Sequence, residues 1–201
     1  SSEFHNGHGP LSVSDQRIRL DILDEFMNAA EEMGIPKVND FNKGDNFGCG
    51  YFQVTVKNGL RCSASVAYLN PIKKRNNLKI EVKAHVKNID FENNKATGIN
   101  YWKDNKLFKV KAKKEVILSA GSIGSPHILQ VSGVGDSSKL KKHDIKIIHN
   151  STGVGKNLQD HLMMRPVYKV KNIETLNKKI NSLFGKILIG MEYLLYRRGP
   201  M

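Results

Sequence analysis

The chain is short of cysteine, short of acidic residues, and without any long apolar run. Two cysteines, Cys49 and Cys62, make no metal-ligand spacing and are too few for a framework of bridges. A zinc module and a disulfide-stapled scaffold are thereby excluded, and a reduced, cytoplasmic setting is expected. No stretch approaches the ~20 consecutive apolar residues of a membrane-spanning helix. Asp and Glu number 19 against 32 Lys and Arg, for a net charge of +13. Such a surplus points to nucleic acid when it gathers on one element. Here Lys is dispersed among Asn, and the densest stretches are only Lys73-Lys74-Arg75 and Lys139, Lys141, Lys142 and His143. Solvated faces account for this pattern, and no nucleic-acid partner is expected. No carboxylate pair and no nucleophile elbow occurs, and the seven histidines fall singly, mostly in loops or at element ends. No catalytic acid–base group is expected in this segment.

What is present is a succession of short elements. Pro10 to Val13 reads as a strand and Ser14 as an N-cap. Ile18, Ile22, Phe26, Ala29, Ala30 and Met33 then recur at helical spacing over Asp15 to Met33, closed by Gly34 and Pro36. Asn39 to Gly50 is loop, Tyr51 to Val56 alternates as a strand, Asn58-Gly59 is a turn, and Ser63 caps a short helix. From Leu78 to Val110 the period is two. The runs at 78–82, 86–91 and 96–101 predict a three-stranded meander punctuated by Asn93-Asn94 and Asp104-Asn105, with a further strand at 108–110. Strands are also predicted at Ile145 to Ile148 and Val167 to Val170, and a helix from Leu183 to Tyr196.

Between them lies the most informative stretch, Lys114 to Gly135. It predicts a buried strand over Glu115 to Ser119, a turn at Ala120-Gly121-Ser122, and a helix opened by Ser125-Pro126. Small residues at a strand-to-helix turn let a ligand approach the backbone, and a helix N-terminus offers unpaired N–H groups to an anion. That geometry suits a phosphate-bearing cofactor. A second glycine segment, Gly153-Val154-Gly155-Lys156-Asn157, fits neither standard nucleotide loop. Leu158 replaces the third Gly of the dinucleotide fingerprint, and Asn150 and Asn157 break the P-loop pattern.

Ala120-Gly121-Ser122, Ser125-Pro126 and Ser132-Gly133-Val134-Gly135 together resemble the second signature of the glucose–methanol–choline (GMC) flavoprotein oxidoreductases. Gly153-Val154-Gly155-Lys156-Asn157-Leu158-Gln159-Asp160-His161 resembles that family's GVGxNLQDH segment. Asn58-Gly59-Leu60-Arg61-Cys62-Ser63, Ala67-Tyr68-Leu69 and Asn77-Leu78 are similar to its upstream run, so the resemblance spans the chain in family order.

The resemblance implies an α/β fold: an FAD-binding domain of the flavoprotein type, a parallel sheet with a β-meander crossover, plus part of an α+β substrate domain. It implies that residues 1–70 belong to the substrate domain and connecting helix, 71–161 to the FAD domain, and 162–201 to the next substrate-domain segment. FAD is the implied cofactor, with Val86, Ala120, Gly121, Ser122, Asn157 and Asp160 near it, Val86 through its backbone. The implied reaction is oxidation of a primary alcohol to an aldehyde, by proton loss from the hydroxyl and hydride transfer to flavin. Against the family, this chain reads as an internal piece, inactive alone, with the catalytic His beyond Met201. A quinone or other electron acceptor is expected, and the family leaves room for peripheral membrane association of the parent. Lys169, with Arg165 nearby, stands where choline-oxidising relatives carry an acid, so a neutral or anionic alcohol is expected. The alternatives are choline dehydrogenase proper, or a non-catalytic binding module derived from a flavoprotein.

Overall fold

A computed structural model describes residues 3–173, 175–197 and 199. In chain order the elements are α1 (Asp21–Glu32), β1 (Val56–Lys57), β2 (Leu60–Arg61), a π-helical turn (Ser65–Leu69), β3 (His85–Glu92), β4 (Lys95–Lys103) and β5 (Lys106–Lys111). There follow α2 (Gly121–Val131), β6 (Val134–Gly135), α3 (Ser137–Lys141), β7 (His149–Asn150), α4 (Leu176–Ile180) and α5 (Leu183–Tyr196). The chain divides into two compact units, one of residues 1–79 with 167–201 and one of residues 80–166.

In the first unit, α1 starts six residues later than its periodicity predicts. Ser14 is taken by a bridge instead: it exchanges backbone hydrogen bonds of 2.9 Å with Val54 and holds the incoming chain extended. The helix ends as predicted, at Gly34. The Ile35 N–H donates to the Ala30 carbonyl and the Gly34 N–H to that of Glu31, the paired bonds of a Schellman cap. Of the expected strands at 10–13 and 51–56, only this bridge and the short β1 form. β1 turns through Asn58 and Gly59, both at positive φ, into β2. The Tyr51 hydroxyl donates to Asp24 on α1 at 2.9 Å, and partial burial followed by this carboxylate raises its pKa. α5 has the predicted bounds, opened by the Ser182 hydroxyl and closed by Arg197 in the left-handed region. Two bonds tie it back to the N-terminal segment. Arg17 donates to the Arg197 carbonyl at 2.9 Å, and the Tyr193 hydroxyl to that of Gly59 at 3.4 Å. Residues 167–170 form no strand.

The second unit is built on the meander β3-β4-β5, antiparallel throughout. Its two turns are the predicted Asn93-Asn94 and Asp104-Asn105, all four residues at positive φ as tight hairpins demand. The third strand is the run at 106–111, whereas Leu78 to Val82 stays irregular. Ile89, Ile99 and Val110 line up across one face, beside Tyr101 stacked on Phe108 with ring centroids 5.4 Å apart. Ile89 and Tyr101 are buried. Asn88, Asn100 and Lys109 line up across the other face around Asp90, which accepts from Asn100 at 2.7 Å and pairs with Lys109 at 3.0 Å. Partial burial pushes the Asp90 pKa up, but the bonds from Lys109, Asn100 and Asn88 outweigh it and leave the value below the ordinary 3.8.

α2 packs on β3, and the serine that caps its C-terminus bonds to both. The buried Ser132 hydroxyl accepts from the Ile89 N–H at 2.8 Å and donates to the Ile128 carbonyl at 2.5 Å. Beyond it β6 pairs in parallel with β7, which forms at 149–150 rather than at the predicted 145–148 because Gly133 and Gly135 accept from Ile148, His149 and Ser151. The mixed architecture, with its meander and parallel pair, is the α/β class expected.

Ser132→Ala leaves the buried Ile89 N–H unpaired and is expected to cost about 1–3 kcal/mol in urea unfolding. Asp90 stabilises the meander while ionised. Its contribution is present above pH 3.8 and is lost as pH falls through the depressed value. Asp90→Asn should therefore lower stability at neutral pH by about 1 kcal/mol and flatten the acid limb of a stability–pH curve. An acid limb as steep as that of the parent would show that Asp90 is not its source.

Candidate cofactor-binding site

The stretch 114–135 departs from prediction at the point that matters for binding. Glu115 to Ser119 forms no strand and pairs with none among the described residues, and Ile117 is 78% exposed. α2 opens at Gly121 rather than Ser125, with Ala120 as its cap. The predicted turn is thus the first helical turn, and Pro126 lies inside the helix. Lacking an N–H, Pro126 cannot bond the Ser122 carbonyl. Ser125 turns back instead, its hydroxyl accepting from the Ala120 N–H at 3.0 Å. The N–H groups of Gly121, Ser122 and Ile123 are the unpaired donors of this terminus. Gly121 has φ +82°, and a Cβ built there would meet no atom within 4 Å. Conformation demands this glycine, and the space in front of it is open.

One side of α2 and the segment 153–159 line a wide-mouthed cavity of about 740 Å³, open to solvent. Ser122, Ser125, Pro126, His127 and Gln130 line it from the helix, and Gly155, Lys156 and Asn157 from the loop. Three features shape the loop. Gln130 donates through Nε2 to the Val154 carbonyl at 3.2 Å. Lys156 lies 3.5 Å from Asp136, the N-cap of α3. Asn157 adopts φ +56°. The Ser138 hydroxyl and backbone N–H, followed by the charge of Lys156, hold the Asp136 carboxyl below its usual value.

Of the six residues expected near a cofactor, Ser122 and Asn157 share this cavity. Ala120 and Gly121 open the same helix. Val86 lies on β3 opposite Tyr101, next to a register shift, and is not among the cavity-lining residues. Asp160 is exposed and accepts from the backbone N–H of His161 at 2.8 Å, outside the cavity lining. Sequence reasoning missed Gln130, whose only signal was a polar residue between Leu129 and Val131. Among the described residues no cluster of His, Cys, Asp and Glu could hold a metal ion.

A helix terminus with free donors beside a largely apolar cavity is an arrangement that can receive an organic ligand with an anionic group. Residues 2–163 match the family model of the GMC oxidoreductases, and the chain belongs to that family. It is 41% identical over 199 residues to an oxygen-dependent choline dehydrogenase of Vibrio vulnificus, covering 98% of this chain and 35% of that protein. It is 38% identical to the mitochondrial choline dehydrogenase of Mus musculus, covering 95% and 32%. Among solved structures, an FAD-dependent oxidoreductase from Chaetomium thermophilum superposes with a TM-score of 0.84 at 26% identity, covering 96% of this chain and 34% of that one. The chain thus spans about a third of the length of the relatives it matches.

Gly155 has φ +75°, and a Cβ there would stand 2.7 Å from the Gln130 amide nitrogen. Gly155→Ala should therefore cost about 1–2 kcal/mol in backbone strain, measured by chemical denaturation, and displace Gln130 from Val154.

Proposed function

We propose that this chain supplies part of the FAD site of an oxidoreductase that oxidises a primary alcohol to an aldehyde. The observation that carries the reading is the N-terminus of α2, where no side chain caps the helix and Gly121 borders open space. This donor set fits FAD. Backbone N–H groups and the dipole of an 11-residue helix suit an anionic, phosphate-bearing ligand. The cavity beside them adds Ser122, His127, Lys156 and Asn157 as polar contacts. When bound, the flavin accepts a hydride from the alcohol carbon and passes electrons to a quinone or another acceptor.

This chain's own residues bind and orient. Ala120, Gly121 and Ser122 present the helix terminus, Asn157 lines the opposite wall, and Val86 offers backbone groups on the edge strand β3. Asp160 fixes the backbone that follows through its bond to the His161 N–H. The group that takes the hydroxyl proton is assigned to residues outside this segment. In the same reading, residues 71–161 contribute to the FAD domain, and 1–70 and 162–201 to the substrate domain; the compact units, 80–166 and 1–79 with 167–201, divide the chain near these bounds.

Choline is the first alcohol to test, since the relatives named above are choline dehydrogenases. A neutral or anionic alcohol is the alternative to test beside it, because Lys169 and Arg165, both exposed, stand where choline-oxidising relatives are expected to carry an acid. No helix among the described residues is long and apolar enough to cross a membrane. Cytoplasmic placement and peripheral membrane attachment remain parts of this proposal, and the mouse relative is named mitochondrial.

The test is a family-length protein carrying this chain, purified and mixed anaerobically with choline or with a neutral alcohol of similar size. Visible flavin absorption that bleaches with one of them is the expected result. Bound flavin that no primary alcohol reduces would favour a non-catalytic binding module. Absence of bound flavin would remove the reading altogether.

A further inference from the structure

The cavity has two walls from distant parts of the sequence, and few bonds set the distance between them. The helix wall is α2. The loop wall, 153–159, has local backbone bonds only from Val154 to Ser151 and from Lys156 to Gly153. Gln130 bridges the walls through its 3.2 Å bond to the Val154 carbonyl. Its amide occupies the space a side chain at residue 155 would need, so Gly155 and Gln130 fit each other. The other fastening of the loop, Lys156 to Asp136, leads to α3 rather than α2 and is half exposed at the lysine. An exposed ion pair of that kind holds weakly. Ser132, two residues on, anchors the same turn of α2 to β3. Gln130 therefore ties the loop to a fixed support.

We propose that Gln130 is a positioning residue that latches the 153–157 loop to α2 and so sets the affinity of the cavity for its cofactor. The cofactor half of this inference rests on the FAD reading above, whereas the latch itself does not. Because Gln130 acts on the loop and not on the reacting atoms, its loss should weaken cofactor retention.

The experiment compares Gln130→Met, which keeps length and packing but has no donor, with Gln130→Lys, which restores a donor of similar reach. Both are made in the family-length protein. Amide hydrogen exchange at Val154 and Lys156 reads the latch, and equilibrium titration with FAD reads affinity. Gln130→Met is expected to speed exchange at both amides and raise the FAD dissociation constant about 5- to 30-fold. Gln130→Lys should recover protection. Unchanged exchange in Gln130→Met would overturn the latch. Faster exchange that Gln130→Lys fails to reverse would assign the effect to packing and also overturn it. Faster exchange with unchanged FAD affinity would overturn the link to the cofactor. If even the unmodified protein binds no FAD, the functional reading fails while exchange still decides the latch.

Discussion

The second unit depends on one hydroxyl. Ser132 accepts from the Ile89 N–H and donates to the Ile128 carbonyl, so a single buried group joins the middle of β3 to the last turn of α2. Without it, an interior strand residue would bury an unpaired donor. The arrangement transmits order to the candidate site, because the orientation of α2 on the meander decides where its N-terminus points. Gln130, about 200° around the helix from Ser132 by helical geometry, reaches away from the sheet to the 153–159 loop. One turn of helix thus fixes both the support and the far wall of the cavity.

A second constraint is surface. The chain exposes 16734 Å². Even two separate domains of half its mass would together expose only about 11,500 Å². The excess is apolar in particular places: Ile117 in the unpaired segment, Leu162 to Met164 after the loop, and Leu183, Phe184, Leu194 and Leu195 on α5. Patches of this extent mark surface that a partner or further chain covers. The chain spans about a third of its relatives' length, so the remainder of a family-length polypeptide supplies a natural cover. The same reasoning explains why Glu115 to Ser119, with the composition of a buried strand, stands unpaired. A strand is defined by neighbours, and none of the described residues pairs with it.

What could be read from residues alone was whatever local chemistry decides. The Asn93-Asn94 and Asp104-Asn105 turns announced the meander, because few residues tolerate the positive φ of tight hairpins. Gly34 announced the end of α1. The glycine-rich wording of 120–135 and 153–161 announced the family, since backbone conformation and close approach constrain residue type directly.

Tertiary structure decided the rest. The hydrophobic period over 15–33 is continuous, yet α1 waits until Asp21 because Ser14 finds a backbone partner in Val54, forty residues away. Pro126 looked like a helix opener, yet the helix begins at Gly121 and carries the proline inside. Ser122 and Asn157, and with them the unforeseen Gln130, became one cavity only when α2 and the 153–159 loop were brought together. Propensity and turn chemistry act over a few residues, so they are written in the local sequence. Pairing, burial and the meeting of distant walls depend on which surfaces find each other, and no short window of residues contains that information.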